Sequence, residues 1–297
     1  MKSIKTHTHT RSKSSANSFL GQKTLYEDAH VVVFPISYEE TATYGRGTKN
    51  GPQAIINASH YIESYDEEIE REICHTLGIY TMPIMKGDVY VNPKMLVNTV
   101  YKKGKQLLDD EKFICTLGGE HTVSLGIMQA YLEKFQNISI LHIDAHADLR
   151  ERYQGTRFSH ACVMRHVVND ARITQVGLRS ISHEEMNVIK KKKIHSFFAK
   201  DIYDNQSWMA DVVGTLNRNV YVTIDVDGFD PSIIPATGTP EPGGLTWYQM
   251  CSLLKKVALA KNVIGFDVVE LSPQKNNLAP NVTCAKLCYK FLSYIFS

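Results

Sequence analysis

Apolar runs of strand length alternate with amphipathic runs of helical length along almost the whole chain, and this alternation constrains the fold more than any other feature. Strands are predicted at 30–36, 112–117, 138–143, 172–178, 193–198, 219–225 and 262–269. Helices are predicted near 51–64, 93–109, 121–134, 160–168, 183–192, 205–216, 246–260 and 281–296. Asn92-Pro93 gives one of them a cap and a first-turn proline. Repeated β and α units sandwich a parallel sheet between helices. No repeat or Pro/Gly-rich linker divides the 297 residues. The expectation is therefore an α/β protein: a single-domain three-layer αβα fold with a mostly parallel sheet of about eight strands.

In such sheets function gathers beyond the carboxyl ends of the strands, and there this sequence places acids and histidines. The run Ile138–Ile143 leads directly into Asp144-Ala-His-Ala-Asp148, and Asn219–Ile224 into Asp225-Val-Asp227. Residues two apart in an extended chain point the same way, so each segment can aim its polar side chains at one spot. Buried acids cost several kcal/mol unless paired or metal-bound. Four carboxylates and an imidazole together call for cations, and that ligand mixture suits Mn, Fe or Zn. The excess of carboxylates over the needs of one ion suggests two ions with shared bridges.

Weaker signals lie on the same predicted edge. Gly118-Gly-Glu-His121 reads alone as a loop with a surface histidine; beside the two Asp-rich segments it reads as a source of a further ligand. Glu270 ends another strand, either as a surface cap or as an anchor for a cationic substrate. His160 is placed for proton transfer, although a lone histidine is more often structural. The segment 237–244, dense in Gly and Pro, is a rigid turn or a pocket wall, and Asp230 before Pro231 is a turn-former.

Composition narrows the function classes. A formal net charge of +2 and the lack of a basic, aromatic-interleaved patch argue against nucleic acid. No apolar stretch approaches the roughly 20 residues that cross a bilayer. Six scattered cysteines without CxxC pairs, and no signal peptide, are expected to be reduced thiols in a cytoplasmic protein. The first 23 residues hold five Lys/Arg and no acid. With only one Arg among them, a disordered tail over 1–17 fits better than a transit peptide, leaving 18–297 as the catalytic domain. Lys190–Lys193 is read as a solvated helix end.

The motifs Gly-Gly-Glu-His-Thr, His-Ile-Asp-Ala-His-Ala-Asp-Leu-Arg, Asp-Val-Asp-Gly-Phe-Asp-Pro and Ala-Thr-Gly-Thr-Pro-Glu-Pro-Gly-Gly-Leu together resemble the ureohydrolase family of arginases and agmatinases, from about residue 18 to the C-terminus. The resemblance implies an arginase/deacetylase-like α/β domain with two Mn²⁺ per subunit. It implies one ion on His121, Asp144, Asp148 and Asp225, and the other on Asp144, His146, Asp225 and Asp227. It also implies a homo-oligomer, a trimer or hexamer. Tyr44–Pro52 and Phe158–Arg165 are similar to agmatinase segments, and the Asn- and Ser-rich arginase loop that holds an α-carboxylate has no clear counterpart in Gln154–Phe158. Glu120 stands where many members carry Asp, and Thr122 where many carry Ser.

The expected activity is hydrolysis of agmatine to putrescine and urea, a step of polyamine biosynthesis. Glu270 would seat the guanidinium, Asp148 would relay a proton and His160 would protonate the departing amine. Arginine, guanidinobutyrate and formiminoglutamate are alternative substrates. A one-zinc deacetylase conflicts with the complete six-residue ligand set, and a silent paralogue with the presence of every expected catalytic residue.

Overall fold

The structure, a computed structural model, describes residues 17–90 and 92–297. The tail expected over 1–17 thus falls outside the described residues except for Asn17. Among the described residues nine strands form one sheet: β1 (Val31–Ser37), β2 (Ile79–Thr81), β3 (Met85–Lys86), β4 (Phe113–Gly118), β5 (Ile138–Ile143), β6 (Arg172–Leu178), β7 (His195–Phe198), β8 (Asn219–Asp225) and β9 (Asn262–Val269). Every pairing is parallel, in the order β2-β1-β4-β9-β8-β5-β6-β7, with β3 also beside β1. The sheet therefore has nine strands where about eight were expected. The two unpredicted strands, β2 and β3, have three and two residues, too few to show a periodic pattern.

The helices are α1 (Gly51–Ser59), α2 (Cys74–Leu77), α3 (Pro93–Asp109), α4 (Thr122–Lys134), α5 (Val163–Val167), α6 (His183–Lys192), α7 (Ala199–Asp204), α8 (Trp208–Thr215), α9 (Trp247–Ala260) and α10 (Ala279–Ile295). α1 stops at Ser59, short of the predicted 64, and the short α2 and α7 were not predicted. Asn92 caps α3 as expected, its side chain accepting from the Met95 N–H at 3.0 Å.

Strand residues alternate between two apolar layers. Val31, Val33, Leu141 and Val222 pack with α1, α8, α9 and α10, while Val32, Phe34, Ile140 and Tyr221 pack with α3, α4 and α5. That is the three-layer arrangement, built from strands buried on both faces.

The four central strands, β4, β9, β8 and β5, are neighbours, and the segments with candidate site residues follow their carboxyl ends. Backbone shape helps to aim them. A Cβ on Gly119 would lie 2.0 Å from the Tyr38 carbonyl oxygen, so only glycine lets the loop after β4 pass there. Asp148 and Glu270 sit at φ 53° and 65°, the left-handed region that non-glycine residues adopt at a cost of about 1–3 kcal/mol.

Candidate metal centre and active site

Side chains from three loops meet at the carboxyl edge of the sheet. His121, the N-cap residue of α4, is buried. Its Nδ1 lies 3.3 Å from Asp144 Oδ2, 3.0 Å from Asp148 Oδ2 and 3.5 Å from Asp225 Oδ2. Alongside, His146 Nδ1 lies 3.5 Å from Asp144 Oδ1 and 3.0 Å from Asp227 Oδ2. All six residues expected from the sequence as ligands thus converge, and Asp144 faces both histidines through different oxygens.

Hydrogen bonds fix which histidine nitrogen is free. Thr223 Oγ1 donates to Asp267 Oδ1 at 2.7 Å, so it can only accept from His121 Nε2, 2.9 Å away. The proton of neutral His121 therefore sits on Nε2. Its Nδ1 is buried with no hydrogen-bond partner and points a lone pair into three carboxylates. A lone pair facing acids is repulsive unless a cation lies between them, so the donor set fits divalent metal. Asp267 is buried and also accepts from Tyr221 Oη at 2.7 Å.

His142 meets the same cluster, with Nε2 2.8 Å from Asp144 Oδ2. Gln175 Nε2 donates to the Ala147 carbonyl at 2.8 Å and lies 3.0 Å from His142 Nδ1. Both ring nitrogens of His142 are therefore engaged, and the residue orients Asp144 rather than offering a free lone pair. Sequence reading passed over His142, Thr223 and Asp267. The signal was available for the first two: each stands two positions before a candidate ligand in its strand and so faces the same way.

Charge balance points in the same direction. Burial alone would lower the His121 pKa, but Asp144, Asp148 and Asp225 outweigh it and hold it well above its usual range. His146 is likewise raised, against burial, to about 12 by Asp227 and Asp144. Burial, with Asp227 and Asp144 nearby, pushes Asp225 well up, and Asp227 is raised by burial and Asp144. Asp144 goes the other way: burial opposes it, but His142, His121 and His146 hold its carboxyl well below the usual range. Without cations, protons must stand where positive charge is required.

A cavity of about 270 Å³ opens over the cluster. Glu270, His160, Tyr153, Thr239 and Glu185 are on its walls. Glu270 Oε1 accepts from the His121 N–H at 2.6 Å, and no described residue donates to Oε2. Burial and the neighbouring Glu120 push its carboxyl well up, so a cation is the natural occupant of the space before it. His160 is half-buried, with Nδ1 2.9 Å from Thr41 Oγ1 and Nε2 3.1 Å from Thr43 Oγ1. Gly238 and Thr239 bring the 237–244 segment to the wall, and Thr239 Oγ1 reaches Asp227 Oδ2 at 3.4 Å. Asp230 takes the N–H groups of Gly243 and Gly244 at 2.7 and 3.2 Å, the turn-forming role its Asp-Pro context indicated. Lys190, Lys191 and Lys192 occupy the last turn of α6, and all six cysteines are buried free thiols.

The sequence matches the arginase family over residues 29–293. It is 36% identical to an N(1)-aminopropylagmatine ureohydrolase of Synechocystis, over 97% of each chain. It is 33% identical to an agmatinase of Pyrococcus horikoshii, over 89% of this chain and 91% of the other. The fold superposes on the agmatine ureohydrolase of Thermoplasma volcanium with a TM-score of 0.84 at 30% identity, covering 95% and 94% of the two chains. With the motifs, the fold superposition and the histidine–aspartate cluster all in agreement, this chain belongs to the arginase family and is a ureohydrolase, an enzyme of guanidino substrates.

Proposed function

We propose that the enzyme holds two Mn²⁺ ions and hydrolyses the guanidinium of a carboxylate-free guanidino amine, with agmatine, giving putrescine and urea, as the simplest substrate. One observation carries this reading: the bare Nδ1 of His121 among three carboxylates shares a cavity with the open Oε2 of Glu270. His121, Asp144, Asp148 and Asp225 would hold one ion, and Asp144, His146, Asp225 and Asp227 the other. Two cations so held would acidify a water and supply a nucleophile near neutral pH. Glu270 accepts two parallel N–H bonds from the guanidinium and fixes its carbon over the cluster. Asp148 takes the proton released as water adds, and His160 returns one to the departing amine.

A second reading has a specific support: relatives at 36% and 33% identity are named N(1)-aminopropylagmatine ureohydrolases. That substrate is agmatine with a longer, cationic tail, and its product would be spermidine. Tyr153 on the cavity wall offers an aromatic ring to an ammonium-bearing chain. We place the enzyme in the cytoplasm as a homo-oligomer. Urea release should be measured from agmatine, N1-aminopropylagmatine, arginine and guanidinobutyrate, with Mn²⁺ and after chelation. Turnover of one of the first two, lost on chelation, is expected. Preference for arginine would refute the carboxylate-free assignment.

A further inference from the structure

We propose that Glu120, acting through the Thr41 hydroxyl, sets the tautomer of His160 and so makes its Nε2 the atom that exchanges protons with substrate. This rests on the proposed role of His160 in protonating the departing amine. Glu120 is fully buried and accepts four hydrogen bonds. Its Oε2 takes the backbone N–H groups of Glu40 and Thr41 at 2.6 and 2.7 Å. Its Oε1 takes the hydroxyls of Thr41 and Thr122 at 2.7 and 2.5 Å.

The consequence follows from counting protons on Thr41. A hydroxyl has one proton to give and two lone pairs. The Thr41 proton goes to Glu120, so every other contact of Oγ1 must be one in which it accepts. Those contacts are His160 Nδ1 at 2.9 Å and the His160 backbone N–H at 3.3 Å. Neutral His160 therefore carries its proton on Nδ1. Ser159 Oγ, 3.4 Å from the same nitrogen, is the other side-chain contact of Nδ1 among the described residues, and it is the longer one. Nε2 faces the cavity beside Thr43 Oγ1, which lies 3.1 Å from both Nε2 and Tyr153 Oη. With Nδ1 protonated and His160 neutral, the Thr43 proton turns from Tyr153 to the Nε2 lone pair and Tyr153 donates to Thr43 instead, its ring edge-on to the imidazole at 5.4 Å. Nε2 can take up a proton there and give it to the amine nitrogen as the C–N bond breaks. The Nδ1–H stays bound to Thr41 in both states. Glu120 touches neither substrate nor reacting atoms; it is a positioning residue, with a hydroxyl interposed between carboxylate and imidazole.

The test is a substitution that reverses the hydrogen bonds without changing shape. In Glu120→Gln the two backbone N–H groups hold the amide oxygen at the Oε2 position, which turns the amide nitrogen toward Thr41. Thr41 must then accept from that nitrogen and donate to His160 Nδ1, moving the imidazole proton to Nε2. Full-length, metal-free protein labelled with 15N-histidine reads the tautomer directly by NMR at a pH where His160 is neutral, with His160→Asn to assign the signal. Wild type should show Nδ1–H, E120Q Nε2–H, Thr41→Val a mixture, and Thr41→Ser the wild-type form. In the Mn²⁺-loaded enzyme, E120Q should lose about a hundred-fold in kcat with KM little changed, and T41S should recover much of what T41V loses. An Nε2–H tautomer in wild type, or one unchanged in both E120Q and T41V, overturns the relay. If the tautomer switches but no guanidino compound releases urea, the relay stands and the hydrolase assignment falls.

Discussion

At the scale of single residues, the cluster shows how much of a ligand's behaviour is decided by the group behind it. His121 offers Nδ1 because Thr223, itself committed to Asp267, occupies Nε2. Thr223→Val removes that acceptor and leaves a buried N–H unpaired. Its metal affinity is expected to fall about 10–100-fold, measurable by competition with a chromophoric chelator; unchanged affinity would mean that Thr223 does not orient His121. Asp148 and Asp227 each supply an oxygen 3.0 Å from a histidine nitrogen. Asp148→Ala or Asp227→Ala should abolish metal-dependent urea release, and full activity in either would sink the proposed ligand set. Glu270 is recognisable in the sequence as a strand-end acid, but not its left-handed backbone or the His121 N–H that pins one oxygen. Both arise from how β9 meets the loop after β4.

At the scale of elements, α10 carries a device unrelated to the site. Lys290 lies on the buried face of this helix, its side chain 3% exposed, with Nζ 3.2 Å from the fully buried Asp66 and 3.1 Å from both Glu67 and Glu68. The pairing ties the segment after α1 to the C-terminal helix. Lys290→Met would leave Asp66 buried without a cation, at an expected cost of about 3–5 kcal/mol, read as a lower urea midpoint at unchanged slope. Glu68 is lowered to about 2: burial opposes the shift, but hydrogen bonds from Lys255, Tyr294 and Lys290 overcome it. A depressed acid contributes stability above its unfolded value of about 4.3. That contribution is lost as pH falls from there through 2. Glu68→Gln should therefore flatten the acid side of the stability curve between these limits. No length of α10 sequence reveals this, because its partners lie more than 220 positions away.

At the scale of the whole molecule, the site concentrates negative charge where four adjacent parallel strands end. Asp225, Asp227 and Glu270 all keep protons above the ordinary carboxylate range, chiefly through burial. Cations bound by Asp225 and Asp227 must displace those protons, so metal affinity should rise with pH and binding should release protons. Calorimetric titration of Mn²⁺ in buffers of different ionisation enthalpy measures this release. An affinity independent of pH would contradict it.

Sequence alone determined the αβ alternation, seven of the nine strands and five of the six candidate ligands, because each of these rests on local periodicity; His121, after a Gly-Gly turn, was legible only beside the Asp-rich segments and through the family resemblance. A strand buried on both faces is apolar throughout, and ligands two residues apart share its direction wherever it is placed. The order of the strands was left to tertiary structure. Only when β9 lies between β4 and β8 does Glu270 reach the His121 N–H, and only then does Asp267 reach Thr223. The same packing sets Glu120 against Thr41 and His160, three residues with no shared period and up to 119 positions apart. Such contacts depend on which loops the sheet brings together, and the committed hydroxyls they set behind His121 and His160 decide where those two imidazoles carry their protons.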